Sequence, residues 1–137
     1  MKVAIIGSRS FQDYNLLQET LEPYKSKITD IISGGAKGAD ELGARWCKEF
    51  LKKDPIIFEA KWDDFTVKNL LVGQNKDGKF YNTLAGFNRN TDIVKTADCI
   101  IAFWDGVSRG TEDSLKKAKK MKKPCKIIKY ESSNYRK

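Results

Sequence analysis

Buried strands and amphipathic helices alternate along much of this chain. Val3-Ala4-Ile5-Ile6 is a short apolar, β-branched run that predicts a buried strand. Leu17, Leu21 and Tyr24 then mark the inner stripe of a helix that Pro23 helps to close. Ile28 to Ile32 predicts a second strand, partly polar, and Ala39, Leu42, Gly43, Trp46, Cys47, Phe50 and Leu51 recur at helical spacing after it. Pro55-Ile56-Ile57-Phe58 predicts a third strand, Asp98 to Phe103 a fourth, Glu112 to Lys122 a helix, and Lys126 to Lys129 a fifth strand. Such alternation implies right-handed crossovers and a five-stranded parallel sheet covered on both faces, an α/β domain.

The stretch from about Lys61 to Asn88 breaks that rhythm. Trp62-Asp63-Asp64-Phe65 and the segment from Val72 to Tyr81 predict a loop or small hairpin that turns at Asp77-Gly78. It reads as an insertion over residues 60–88, after the third strand, of the kind that serves as a lid or an oligomer contact. No element is assigned between Asn88 and Asp98. The expected domain is 1–130, a single unit, and the tail from Glu131 to Lys137, which has no apolar pattern, is expected to be flexible.

Composition narrows the chemistry. With 137 residues, 40% of them hydrophobic, the chain has material for one core. No apolar run approaches the roughly 18 residues that cross a bilayer, and Met1-Lys2 leads straight into a strand, so a soluble, cytoplasmic protein without membrane contact is expected. Cys47, Cys99 and Cys125 lie far apart in apolar segments and read as reduced core thiols, and no metal site is expected. The absence of histidine excludes Ser-His-Asp and Cys-His catalysis and leaves carboxylates, Lys, Tyr, Ser or Thr for any reaction. The net charge of +8 owes much to Lys116, Lys117, Lys119, Lys120, Lys122 and Lys123, which surround the stripe Leu115, Ala118 and Met121. That pattern is a solvated helix face in the first place and a polyanion-binding face in the second.

Three glycine turns carry the functional signal. Gly7-Ser8-Arg9 follows the first strand, Ser33 to Asp40 (Ser-Gly-Gly-Ala-Lys-Gly-Ala-Asp) follows the second, and Trp104-Asp105-Gly106-Val107-Ser108-Arg109-Gly110-Thr111 follows the fourth. Glycine lets a phosphate approach the backbone, and the N–H groups at the following helix start face the anion. All three turns belong at the carboxyl ends of parallel strands, where ligands bind in such sheets. Arg9 and Arg109 read either as ordinary surface charges or, because each stands beside a glycine turn, as anion contacts, the second being favoured. Asp40 reads three ways: a cap for the second helix, a partner of Lys37, or a ligand for a ribose hydroxyl. Trp104 reads equally as core packing or as a surface on which a base stacks, whereas Trp46 reads as core.

Ile6-Gly7-Ser8-Arg9, Ser33 to Asp40, Ala85-Gly86-Phe87-Asn88-Arg89-Asn90, Ala102 to Gly106 and Ser108 to Thr111, in that order, resemble the YspA-like small proteins of the SLOG superfamily. Relatives there include the Lonely Guy phosphoribohydrolases, the lysine-decarboxylase-like proteins and DprA. The resemblance runs from Lys2 to about Ile128 and implies a Rossmann-like three-layer sandwich that binds nucleotides. It implies phosphate-binding roles for Gly34, Gly35, Ala36, Lys37, Gly38, Gly110 and Thr111, and places Arg89 and Asn90 near a ribose phosphate. The Lonely Guy pattern has a catalytic glutamate three positions after Gly-Thr, where this chain has Ser114, with Glu112 and Asp113 turned away by the roughly 100° per residue of a helix.

The expected function is therefore binding or sensing of a nucleotide-derived small molecule, a nucleoside monophosphate or an ADP-ribose-like compound. An N-glycosidase using Arg89 with Asp40, Glu112 or Asp105 is the alternative, and DprA-like binding of single-stranded DNA is the second. A homodimer or higher oligomer is compatible with all three.

Overall fold

The computed structural model describes residues 1–67 and 70–130. Five strands form one parallel sheet: β1 (Lys2–Gly7), β2 (Asp30–Ser33), β3 (Ile56–Ile57), β6 (Cys99–Trp104) and β7 (Cys125–Lys129), in the order β3-β2-β1-β6-β7. β1 is central because Val3, Ala4, Ile5 and Ile6 bury side chains on both faces. It pairs with β2 from Lys2↔Asp30 and with β6 from Val3↔Cys99 to Gly7↔Phe103. The chain order reverses between β1 and β6, and the ends of these two strands frame the crevice where such sheets take ligands.

Helices cover both faces. On one side α1 (Tyr14–Leu21) and α2 (Ala39–Trp46) bury Leu17, Leu21, Ala39 and Trp46 against Val3, Ile5, Ile31 and Phe103. On the other, α3 (Ala85–Thr96) and α4 (Arg109–Lys120) bury Ile93, Val94 and Ala118 against Ala4, Ile6, Ile32 and Ile100. The architecture is the expected Rossmann-like α/β sandwich.

The elements differ from the pattern reading in ways that have physical reasons. α1 stops at Leu21, and Glu22–Lys27 continues as 3-10 turns, because Pro23 cannot donate into an α ladder and its ring clashes with the carbonyl four residues back. α2 loosens into a π-type turn over Cys47–Leu51 that ends on Lys52 in the left-handed region, φ 58°. α4 starts three residues before Glu112, so Gly110 and Thr111 belong to a helix and not to a turn. α3 escapes the pattern reading altogether. Its inner stripe is only Ala85, Asn90, Ile93 and Val94, and Asn88, Asn90, Thr91 and Thr96 are weak helix formers. Cys125 is not a core thiol: β7 is the sheet edge and leaves it exposed, whereas Cys47 is buried and Cys99 half-buried.

The insertion holds a two-stranded antiparallel hairpin, β4 (Val72–Gln74) and β5 (Phe80–Asn82), with Gly78 of the Asp77-Gly78 turn at φ +79°. Among the described residues no helix is long and apolar enough to cross a membrane. The tail, 131–137, lies outside the described residues.

Candidate functional site

The three glycine turns meet at the ends of β1 and β6. The Ser8 amide donates to the Phe103 carbonyl at 3.0 Å, and Ser8 Oγ accepts from the Asp105 amide at 3.1 Å. Phe11 stacks on Phe103 with centroids 4.6 Å apart, fixing the segment after β1 onto the end of β6. The second turn packs equally closely. Gly38, at φ +83°, lies directly against the carbonyls of Ser8 and Arg9, and a Cβ there would collide with both. Burial and backbone contact, not chain proximity, bring these segments together.

They enclose a cleft of about 560 Å³, inside the roughly 300–1,000 Å³ range of small-molecule sites. From the first turn Gly7, Ser8 and Arg9 line it; from the second, Ala36 and Asp40; from α3, Arg89 and Asn90; from the third segment, Asp105, Ser108, Gly110 and Thr111. Seven of the expected residues do not line it. Gly34, Gly35, Lys37 and Gly38 shape the second turn behind Ala36 and Asp40, Arg109 is exposed at the first position of α4, and Trp104 faces elsewhere. The Trp104 indole donates to the Ser108 carbonyl at 3.1 Å, and Lys129 Nζ sits 5.5 Å from its ring centre. Glu112, exposed, pairs with Lys116 at 3.1 Å and is likewise outside the cleft.

The second turn and the start of α4 differ in what occupies them. In the second turn, ahead of α2, the chain itself takes two of the backbone amides. The Gly35 amide donates to Ser33 Oγ at 3.2 Å, and the Ala36 amide donates to Asp40 Oδ2 at 3.3 Å. Arg89 reaches over from α3 and donates through Nη1 to the Gly34 carbonyl at 2.6 Å. Gly34 has no room for a side chain, since a Cβ would strike both the Arg89 guanidinium and the Asp40 carboxylate. Burial pushes the Asp40 carboxyl up to about 6, against the opposing pull of the Ala36 amide and the Arg89 and Arg9 guanidinium groups. Arg89 Nε is buried without a hydrogen-bond partner among the described residues. At α4 the anion seat is open: Ser108 precedes the helix with no side-chain cap, while Gly110 and Thr111 of its first turn face the cleft.

Asp105 is committed to the backbone. Its Oδ1 accepts from the Val107 amide at 3.0 Å and the Ser108 amide at 2.8 Å. Burial raises its pKa, and these amide bonds with the Ser8 hydroxyl outweigh that to leave it below the ordinary carboxylate value. Asn90, buried, donates to the Gly110 carbonyl and to Asp113 Oδ2, both at 3.2 Å, so it holds α3 against the start of α4. Lys117 belongs to the same contact, donating to Asp113 at 2.7 Å and the Phe87 carbonyl at 2.6 Å. Part of the lysine cluster therefore serves helix packing, and Lys119, Lys120 and Lys122 remain exposed.

Sequence reasoning did not assign the outer wall. Trp62 from the insertion and Phe87 from α3 line the cleft, 46% and 39% exposed, and the Trp62 ring lies across Gly86. Ser10, Thr83 and Ile93 line it too, as does Ser114, which is buried. Phe87 could have been read from its place between Gly86 and Arg89, whereas Trp62 carries no local signal.

A family model described as the YspA, cpYpsA-related SLOG family matches residues 1–65, which hold β1 to β3 and the first two glycine turns. No curated protein matches the sequence. Among solved structures, the fold is similar to that of DNA processing protein A from Helicobacter pylori, described for its single-stranded DNA binding mode. The TM-score is 0.66 at 23% identity, covering 98% of this chain and 70% of that one, a likeness of fold alone. Residues 1–65 thus match the YspA, cpYpsA-related SLOG family, and the parallel sheet with its glycine turns is the Rossmann-like fold that this match implies.

Proposed function

We propose that the cleft binds a nucleotide or a nucleotide-derived phosphorylated small molecule, such as a nucleoside monophosphate or an ADP-ribose-like compound, and that the protein is a binding or sensing module. The observation that carries this reading is the open helix start at α4, which shares one cleft with the Arg9 guanidinium. Free amides at a helix start and a positive side chain suit a phosphate group. Trp62 and Phe87, on the same cleft, offer flat apolar surface for a base. The cleft presents a serine hydroxyl at Ser114, and of its two carboxylates Asp105 is held by the backbone and Asp40 by the second turn. A serine hydroxyl and two carboxylates that already accept from backbone amides are poorly suited to activating water or supporting a sugar cation, which favours binding over glycosidic cleavage.

Titration calorimetry with a panel of nucleoside monophosphates, their nucleosides and ADP-ribose tests the reading. Arg9→Ala should weaken a phosphorylated ligand about tenfold, roughly 1.5 kcal/mol for one charge-assisted hydrogen bond, and leave the nucleoside almost unaffected. Equal losses for both would show that Arg9 does not meet a phosphate. Chromatography of the same mixtures should show no free base; robust base release would put the enzyme reading first.

A second reading, single-stranded DNA in this cleft, is supported by the exposed aromatic wall of Trp62 and Phe87 and by the net charge of +8. An oligothymidylate that binds far more tightly than thymidine monophosphate, with affinity falling steeply as salt rises, would replace the first reading with this one.

A further inference from the structure

Among the described residues, seven of the ten large apolar side chains exposed on the surface lie between Ile57 and Phe87. The most exposed of these seven are Leu71 and Phe80, each at 59%, followed by Val72 at 47%. The β4–β5 register places Val72 opposite Asn82 and Gln74 opposite Phe80, so Val72 and Phe80 share one face of the hairpin, and Leu71 directly precedes β4. A second hollow, of about 540 Å³, opens between Trp62, Phe80 and Tyr81 at the base of the same arm. Scattered apolar residues are normal on a surface, but Leu71, Val72 and Phe80 gathered on one hairpin arm mark a contact site.

Two observations on the arm select its occupant. The first is charge. Between Ile57 and Phe87 the sequence carries Lys61, Lys68, Lys76 and Lys79 against Glu59, Asp63, Asp64 and Asp77, so this segment is neutral and the +8 of the chain lies entirely elsewhere. A polyanion has little reason to choose it, and two like-charged copies of the chain meet least repulsion there. The second is the strand edge. Among the described residues the hairpin is a two-stranded sheet, and β4 bonds only to β5. A lone two-stranded hairpin is marginally stable in water, and an unpaired edge is a template for another strand. Within one chain the hairpin is tied down on the β5 side, where the Asn82 amide donates to the Trp62 carbonyl at 2.6 Å, the Asn82 side chain donates to the Asp64 carbonyl at 3.1 Å, and Tyr81 meets Trp62 edge to face, so the β4 edge stays unpaired among the described residues.

We propose that the arm is a homodimer contact in which β4 pairs antiparallel with β4 of a second copy across a two-fold axis. The product is a four-stranded sheet that covers the free β4 edge and brings Leu71 and Val72 of one copy beside those of the other, on its two faces. A two-fold contact needs a self-complementary patch, and a neutral, apolar strand edge is one. Because the attraction is apolar, added salt leaves the dimer unchanged or tightens it, the opposite of nucleic-acid binding.

Sedimentation velocity over a concentration series is the test. Wild type is expected to reach twice the mass of the chain, and the double variant Val72→Lys, Phe80→Glu, at two exposed positions, is expected to sediment as a monomer with an unchanged circular dichroism spectrum. Hydrogen exchange on the wild type gives an independent reading: the Val72 and Gln74 amides should slow as protein concentration rises. Wild type that stays monomeric at all concentrations overturns the proposal. So does a dimer that persists in the double variant, or a monomer whose arm instead retains single-stranded DNA and loses it on substitution. Exchange at Val72 and Gln74 that is independent of concentration overturns it even if the variant misfolds.

Discussion

Gly38→Val is expected to cost about 2–5 kcal/mol of folding stability. The backbone there is left-handed, at φ +83°, a conformation that penalises a side chain by about 1–2 kcal/mol. Its Cβ would also enter space held by the Ser8 and Arg9 carbonyls, and overpacking of that kind adds about 1–3 kcal/mol. Both obstacles are backbone, so no side chain can rotate away. The nearby Ala39 amide donates to the same Ser8 carbonyl at 3.4 Å, and separating the turns weakens that bond as well. Gly110→Ala is the contrasting case. A Cβ there meets nothing within 4 Å and sits in the first turn of α4, so stability should hold or rise by up to about 1 kcal/mol. Urea unfolding followed by circular dichroism measures both. A loss below about 1 kcal/mol for Gly38→Val would mean that the two turns move apart freely and do not define a common cleft.

The contrast shows what in this chain is legible from residue type. Gly35 and Gly38 declare a positive φ, and buried β-branched runs declare β1 and β6, so the glycine turns and the strands they follow can be read before any contact is known, although the strand order cannot. α3 cannot be read in this way: its polar residues face the cleft and α4, and Asn90 is buried because it has the Gly110 carbonyl and Asp113 to bond, partners that only the fold supplies. For the same reason sequence could not tell the second turn from the start of α4. The expectation of a phosphate on the Gly35 amide rests on local glycine content, whereas the Ser33 hydroxyl takes that amide and the Asp40 carboxylate takes the next one, with Arg89 brought over them by α3. Trp62 is the extreme case. It reaches the cleft from an insertion whose path is set by the hairpin and by its contact with Gly86, and nothing adjacent to it in the chain announces that destination.

Asp40 makes the protein less stable as pH rises from about 4 to about 7. Its carboxyl titrates near 6 in the fold, raised by burial, and at its ordinary 3.8 when unfolded. Between those values the folded chain holds a proton that the unfolded chain has released, so the unfolded state binds fewer protons and stability falls with increasing pH. A shift of about two units corresponds to about 3 kcal/mol, fully developed above pH 7 and absent below pH 4. Asp40→Asn keeps an oxygen to accept from the Ala36 amide and removes the titration. The difference between variant and wild-type unfolding free energies should therefore grow in favour of the variant by about 3 kcal/mol across this window. Asp30 and Asp105, whose pKa values are lowered, contribute stability that is lost as pH falls, and they do so in both proteins, so the difference isolates Asp40. A buried charge that destabilises the fold at neutral pH has a consequence for binding. An anion seated at the start of α4 shares the cleft with Asp40 and disfavours its ionised form, so ligand uptake near pH 6.5 should carry a proton in with it. Calorimetry of one nucleoside monophosphate in two buffers of different ionisation enthalpy reads that proton, and Asp40→Asn should abolish the part of the uptake that is not the phosphate's own. Parallel stability curves for the two proteins, or equal proton uptake by both, would mean that the Asp40 carboxyl titrates as an ordinary solvated acid.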